Sequence, residues 1–511
     1  MHLCLLPPEI LLQIFSIGEF YHPICSHATL ASLARTFRTL KEPALDILWI
    51  NIVGFKPLIA CLPECVTNTD IRGRLTLERP RLNGECRLLG RYTQRIRSLT
   101  VFHEHLNSID GQIMQAFISV PSPTPLLPNL RYLGWWDDRE CFFPLLCTFF
   151  GSTITSVRLD FTTRAPSFAK SALVASIGDR CPSIQELHCE YGGDSQESSD
   201  AICEALRGLR ELFRLRIGVF NAQTLLRLAS LSSLKFLSLN LRAYNVNHTH
   251  SDSTPTSSSQ FEEVYITSPS PFVLTHCLRN IRFLSCRSVN LSIDYNEFFQ
   301  PYDPMDIPDL IVSVSECFPP TLEKLRFNFD TSHNDMEEHT LADPSFALGF
   351  DVVAPMLSFR HLKHLDLDWI CTSAIDDTSL KEMAQSWPQL EHFLFGSEAG
   401  WLIPPSLTFI GLVHLIHHCP LLRNIAMRFS ACPVDVNSAP FSNTNPSEKI
   451  RELFVGTSPI VDPVAVASQI HKLMPKLFTV GFYDWDVAGF FAPSPFVQFE
   501  ADWSRVNDFL R

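Results

Sequence analysis

Residues 362–395 read LKHLDLDWICTSAIDDTSLKEMAQSWPQLEHFLF. Leu362, Leu365 and Leu367 follow the order apolar, two residues, apolar, one residue, apolar, and the spacing returns at Leu390, Phe393 and Phe395. The last two members of each triplet lie on one face of an extended strand. Between the triplets Asp377 opens a capped helix, and Pro388, two residues before the second triplet, ends it and sets an extended entry into the next strand. Strand, turn near Cys371, helix and strand make a unit that buries its apolar face only by stacking on copies of itself.

The copies are present. The triplet occurs fourteen times, with first members Ile96, Leu130, Ile154, Ile184, Leu212, Leu234, Phe261, Ile281, Leu322, Leu362, Leu390, Leu422, Ile450 and Leu477. They stand 20 to 41 residues apart, most near the twenty-odd spacing of a leucine-rich repeat, in which a short strand joins a parallel sheet and a helix returns. One triplet carries no weight in so apolar a chain; fourteen at quasi-regular spacing do. Proline also stands two residues before the first member at Pro128, Pro182, Pro320, Pro388, Pro420 and Pro475, and Cys181-Pro182 and Cys419-Pro420 resemble the turn of cysteine-containing leucine-rich repeats. The asparagine-ladder position is mostly unfilled, so other groups must satisfy the turn backbone. Insertions are expected at 294–308 and 331–344, disordered loops at 245–260 and 437–447, and a closing amphipathic helix on Phe496, Phe499, Trp503, Val506 and Leu510.

Composition bounds the function. Of 511 residues, 46% are hydrophobic and 19% charged, as in a globular chain. A net charge of −13 argues against a nucleic-acid or anionic-membrane binder. Sixteen cysteines without a CxxC pair suit a reducing compartment, and the N-terminus lacks a basic signal-peptide region; a cytoplasmic or nuclear location is expected. No phosphate-cradling loop, dinucleotide fingerprint or nucleophile elbow occurs. His414, His417 and His418 have helical spacing compatible with zinc, without an accompanying glutamate, and are read as repeat-helix residues; His103 and His105 follow a strand, whose continuation would put both on one face, and are read as solvated strand-edge residues. No catalytic set, metal or cofactor is expected.

The head differs from the array. Residues 6–15, LPPEILLQIF, open a helix with proline and glutamate in its first turn and a wide apolar face. A loop is expected at 18–27, then a second helix N-capped by Thr29 and carrying Leu30, Leu33, Phe37 and Leu40, then a short third helix ending at Trp49. LPPEILLQIF followed by TLASLARTFRTLKEPALDILW (29–49) resembles an F-box, and its combination with irregular repeats resembles the large fungal F-box families. The resemblance implies docking onto a Skp-type adaptor, and through it a cullin-RING ubiquitin ligase, with contacts at Leu6, Pro7, Ile10, Leu11, Ile14 and Phe15, and with Leu33, Phe37 and Trp49 as module core or contact. Phe37 stands where that family often has tryptophan.

The expected fold is α/β: a three-helix F-box (1–50), a helical and basic linker (51–92), a leucine-rich-repeat-like solenoid (93–490) with a parallel sheet on its concave face, and a capping helix (491–511). Residues alternating outward on the strands would bind a protein target. They are Trp136, Arg158, Tyr191, Arg216, Tyr265, Lys324, Arg326, His364, Asp366, Asp368, Trp369 and Tyr483, with Asp137, Arg214, Arg287 and Arg428 beside them. The surface should be basic from Arg158 to Arg326 and acidic at Asp366 and Asp368. The sequence thus suggests the substrate-recognition subunit of an SCF-type ubiquitin ligase; the alternative is a repeat scaffold whose head caps the solenoid.

Overall fold

The structure, a computed structural model, describes residues 6–21, 23–62, 67–69, 74–77, 79, 89–109, 111–118, 125–161, 167–191, 196–218, 227–228, 230–241, 256–258, 261–294, 303–330, 338–397, 401–435, 437, 439–483 and 496–510. His22, most of the basic connector and the 245–255 part of the polar loop lie outside them. The chain forms two compact units, Met1–Leu234 and Lys235–Arg511.

Unit 1 begins with helices α1 (Pro8–Tyr21), α2 (Pro23–Thr36) and α3 (Arg38–Leu48). The expected loop at 18–27 is mostly helix: α1 runs through Gly18 to Tyr21, and Pro23, not Thr29, starts α2. Proline suits a first turn, where an amide has no partner to lose. Leu11, Phe15, Leu30, Leu40, Ala44 and Ile47 form a small core between the three helices. Trp49 caps α3, and the chain passes directly into a strand, β1 (Asn51–Val53).

Beyond a short antiparallel pair, Thr67–Thr69 with Leu75–Leu77, five strands of unit 1 continue the sheet begun by β1: β2 (Ser98–Phe102), β3 (Tyr132–Trp136), β4 (Ser156–Phe161), β5 (Glu186–Tyr191) and β6 (Arg214–Ile217). All pair in parallel and in chain order. The second triplet members fall in one register, Ile52↔Leu99↔Leu133↔Val157↔Leu187↔Leu215, and all are buried. The parallel strands therefore start before the first triplet read from the sequence. Return helices α4 (Phe168–Ala175) and α5 (Gln196–Gly208) cover the apolar side; Ser167 caps α4 by accepting from the Lys170 amide.

Unit 2 repeats the scheme with β7 (Phe236–Asn240), β8 (Glu263–Ser268), β9 (Ser288–Asp294), β10 (Lys324–Asp330), β11 (His364–Leu367), β12 (His392–Phe395), β13 (Asn424–Met427), β14 (Glu452–Phe454) and β15 (Val480–Gly481). Its register is Leu237↔Val264↔Val289↔Leu325↔Leu365↔Phe393↔Ile425↔Leu453↔Val480. The triplet for β9 is Cys286-Val289-Leu291. The expected Ile281-Leu284-Cys286 is out of register: Ile281–Phe283 pairs instead with Thr256–Ser258 in a separate two-stranded ladder, and Leu284 is exposed. Those three residues also give a short strand to part of the expected 245–260 loop.

Helices α6 (Pro271–Leu278), α7 (Asp306–Cys317), α8 (Asp377–Ser386), α9 (Phe409–His418) and α10 (Pro463–Leu473) return the chain. Asp376 caps α8 from the Ser379 amide, while Asp377 reaches forward to the amide and hydroxyl of Thr408, the cap of α9. This stitches one repeat to the next. Helix α11 (Phe496–Leu510) closes the array: Trp503 is buried and donates to the Ser458 carbonyl, and the Asn507 side chain pairs with both backbone groups of Val480. An edge strand left open would invite pairing with another chain, and Asn507 occupies that position.

Candidate interaction surfaces

On α1, neighbours in sequence have opposite fates. Leu11 and Phe15 are buried in the three-helix core, whereas Ile10 and Ile14, one turn apart, are 41% and 40% exposed. Pro7 is exposed, and Leu6 and Leu33 pack half-buried against the core. Phe37 precedes α3 and is more than half exposed. Trp49 is buried with its ring 4.6 Å from that of Tyr92. Among the described residues, the open apolar surface of the head is therefore carried by Pro7, Ile10, Ile14 and Phe37. Leu11, Phe15 and Trp49 serve the fold, because a 3.6-residue period turns only one side of each helix inward.

The head is fixed to the strand array of unit 1. The Arg95 guanidinium pairs with Glu42 and Asp46 of α3, and the Arg97 and Ser98 amides both donate to the Ile50 carbonyl at 2.9 Å. A groove of about 460 Å³ remains beside this junction, lined by Leu12, Gln13, Asp46, Ile47, Arg95 and Arg97 among others.

The strand face away from the helices carries the residues expected to contact a target. In unit 1, Arg158 is exposed with its guanidinium 5.1 Å from the Trp136 ring, and Arg216 is exposed. Tyr191 ends β5 in register with Phe161; its side chain lies outside the described residues. In unit 2, Tyr265, Lys324 and Arg326 are exposed, and His364, Trp369 and Tyr483 are half-buried. His364 and His392 are register partners with rings 5.2 Å apart, and burial holds the His364 pKa below its ordinary value.

The acidic end of the expected surface is internal. Asp366 and Asp368 are buried: Asp366 accepts from Arg326 Nε at 2.5 Å, and Asp368 Oδ1 accepts from the Ser397 amide at 2.7 Å and hydroxyl at 2.5 Å. Asp368 thus does the work of the missing asparagine ladder, as does Ser458, whose hydroxyl accepts from the Phe429 amide. Asp137 is likewise buried, held by Arg139 and His103, and Asp138 pairs with the buried Lys170 at 3.1 Å. His103 and His105 belong to a short helix, not a strand.

The expected basic stretch is compensated across strands. Arg216 and His188 share Glu190 at 2.6 and 2.8 Å, Arg214 faces Glu186 at 3.8 Å, and Glu323 takes Lys363 at 2.7 Å and Arg287 at 3.9 Å. The His188 hydrogen bond is the main cause holding the Glu190 carboxyl below its ordinary value. Parallel in-register pairing sets such groups side by side, where like charges would repel.

One cluster went unrecognised in the sequence. Phe102 and Trp136 lie in register with rings 4.8 Å apart, and Tyr132 stands on the same face. Gly134 lies between them: a Cβ there would fall 2.4 Å from the Trp136 ring and 2.9 Å from the Tyr132 hydroxyl. Absence of a side chain lets the indole fold over the strand. With Arg158 on the far side this makes an aromatic shelf ending in a guanidinium. The alternation that selected Trp136 also selects Phe102 and Tyr132; only register reveals that they meet.

The His414 and His418 rings stack 6.4 Å apart with His417 edge-on to His418, and no group of three His, Cys, Asp or Glu side chains placed to hold a metal occurs among the described residues. Burial pushes the Cys181 thiol up to about 11 and those of Cys286 and Cys419 up to about 12, which keeps them protonated and unreactive. No helix among the described residues is long and apolar enough to cross a membrane.

Strand order, register and return helices make this a leucine-rich-repeat-like α/β protein with three helices at its start. No protein-family model and no curated protein matches the chain in sequence. Solved structures with some likeness include an internalin from Listeria monocytogenes (12% identity, covering 74% of this chain and 86% of that one, TM-score 0.28). Others are the complex of Rad7 and Elc1 in yeast (11%, 67% and 78%, 0.32) and the leucine-rich repeat-containing protein LegL7 from Legionella pneumophila (15%, 65% and 92%, 0.33). Likeness at this level carries no functional argument; the fold class rests on the chain's own strand pairing.

Proposed function

We propose that this chain is the substrate-recognition subunit of an SCF-type ubiquitin ligase, its head docking a Skp-type adaptor and its open strand face taking a protein target. The observation that carries the reading is the split of α1: Ile10 and Ile14 are exposed beside the buried Leu11 and Phe15. Two isoleucines one turn apart make an apolar strip suited to a partner's apolar surface. The F-box resemblance of residues 6–49 names the chemistry of that partner. In this reading the chain performs no bond-making step; it supplies proximity and orientation. The aromatic shelf in unit 1 has the aromatic and arginine content of interface anchors.

A pull-down of the full chain with purified Skp-type adaptor tests the head. Stoichiometric capture that is lost in Ile10→Gln/Ile14→Gln supports the reading; no capture by the wild-type chain removes it. A second reading, a repeat scaffold outside any ligase, draws on the ion pairs from Arg95 to Glu42 and Asp46 and on the direct passage from α3 into β1. Those contacts suit a head that caps the strands in the same chain. The scaffold reading predicts no adaptor capture, with Arg95→Ala lowering stability.

A further inference from the structure

The aromatic shelf of unit 1 ends in a cation that the fold leaves unmatched. Arg158 on β4 and Arg214 and Arg216 on β6 all point to the open face. Arg216 has Glu190 at 2.6 Å and Arg214 has Glu186 at 3.8 Å. Arg158 is exposed and has neither an ion pair nor a side-chain hydrogen bond among the described residues. What holds it is the Trp136 ring, 5.1 Å from its guanidinium carbon. That ring is itself held from two sides. Gly134, the register partner of Arg158, leaves the room in which the indole folds back over β3, and Phe102 stands against it from β2 with planes 30° from parallel.

A guanidinium resting on an aromatic ring spends its face on the contact and keeps its N–H edge for an acceptor. Tyr132, two residues before Gly134 and so on the same face, brings a hydroxyl to the same place, 2.9 Å from where a Gly134 Cβ would lie. Burial pushes this phenol up against the opposing pull of the Arg158 charge, so the hydroxyl stays protonated and able to donate. The charge balance selects the kind of anion. Among the three arginines one positive charge is in surplus, and one register row further along Asp160 and Glu190 stand side by side. A dianionic phosphate would meet both acids with a single unmatched guanidinium, whereas a carboxylate needs only that one. An extended segment spaces side chains of one face roughly 7 Å apart. An apolar side chain on the rings therefore sets an acidic one, two residues away, within reach of Arg158.

We propose that the shelf binds an acidic segment of a protein target, with an apolar side chain resting on Trp136 and Phe102 and an aspartate or glutamate two residues away pairing with Arg158 and Tyr132. This rests on the reading of the open strand face as the target surface and adds the chemistry that the face selects; it does not involve the head.

A phage-displayed library of random dodecapeptides, panned on the full chain without adaptor, tests it. The expected selection is enriched in peptides with Asp or Glu two residues from an aromatic or large aliphatic residue. Fluorescence anisotropy of the strongest binder then compares variants. Arg158→Gln should weaken binding about tenfold to a hundredfold, the weight of a charge-assisted pair, and Arg158→Glu more. Arg214→Gln, which removes the same charge from a matched position, should change it less than about threefold. The proposal is overturned if panning returns no binders or none enriched in acid, if Arg158→Gln binds as wild type does, or if Arg214→Gln weakens binding as much. Replacing the selected acid by phosphoserine separates the anions: equal or weaker binding supports the carboxylate, and tighter binding overturns it. An Arg158→Gln chain that melts well below wild type also overturns it, because the guanidinium would then be serving the fold. Loss of peptide binding with adaptor capture intact removes the shelf site alone, and failed capture with peptide binding intact removes only the ligase role.

Discussion

Replacing Ile10 and Ile14 together by glutamine should cut adaptor affinity without unfolding the head. Full burial of an isoleucine is worth about 1.5–3 kcal/mol. Some two-fifths of each remains exposed, so a partner covering both gains about 1–2.5 kcal/mol, or roughly fivefold to seventyfold in Kd. Glutamine keeps an unbranched stem over the surface already covered and has the better helix propensity, so the stability change should stay within about 0.5 kcal/mol. Leu11, between them in sequence but 2% exposed in the core, provides the contrast: Leu11→Ala should cost about 2–5 kcal/mol. Titration calorimetry against purified Skp-type adaptor reads the first effect, and urea denaturation followed by far-ultraviolet circular dichroism reads the second. If the double glutamine variant binds as wild type does, the exposed strip is not the docking surface. If it is as unstable as Leu11→Ala, the inside and outside of α1 have been assigned wrongly.

Three further outcomes concern the strand arrays. Asp368→Ala strands a buried amide and hydroxyl of Ser397 and should cost about 2–4 kcal/mol, against about 1 kcal/mol for Asp368→Asn, which keeps an acceptor; urea midpoints compare them. Gly134→Ala drives a methyl group into the Trp136 ring and should cost about 1–3 kcal/mol, at least half of it recovered in a Trp136→Ala background, as a double-mutant cycle would record. Glu190, its pKa depressed in the fold by His188 and Arg216, contributes stability that is present at neutral pH and lost as pH falls below about 4.5 through the folded value. The gap in urea midpoint between wild type and Glu190→Gln should therefore narrow from pH 7 to pH 3.5.

The repeats were legible because a parallel in-register array demands the same apolar spacing at every strand: Leu365, Phe393 and Ile425 are adjacent in space and equivalent in sequence. The one slipped triplet shows the limit of that signal. Ile281-Leu284-Cys286 and Cys286-Val289-Leu291 fit the spacing equally, and only pairing with Lys324–Asp330 selects the second. The width of the apolar face on α1 was visible, but its division into buried Leu11 and exposed Ile10 depends on where α3 lies. Pro23 suggested a loop because proline stops helices and starts them alike. Asp366 and Asp368 were placed outward by alternation, and their burial depends on Arg326 and Ser397, distant residues that no local pattern supplies.

The same contrast explains where specificity can reside on the open faces. Neighbouring strands place equivalent residues about 5 Å apart, so a continuous run of arginines would be strongly self-repelling. The chain answers with acids in adjacent strands: Glu190 between His188 and Arg216, and Glu323 between Arg287 and Lys363. Exposed pairs of this kind contribute little to stability, about 0–1 kcal/mol each, but they cancel the field a partner would sense. On the proposed reading, recognition would fall to positions where the cancellation is broken. In unit 1 that is Arg158, which rests on Trp136 and has no carboxylate partner among the described residues. If the face of unit 1 takes a target as proposed, charge reversal at Glu186 should alter binding far less than Arg158→Ala, which removes the unmatched guanidinium.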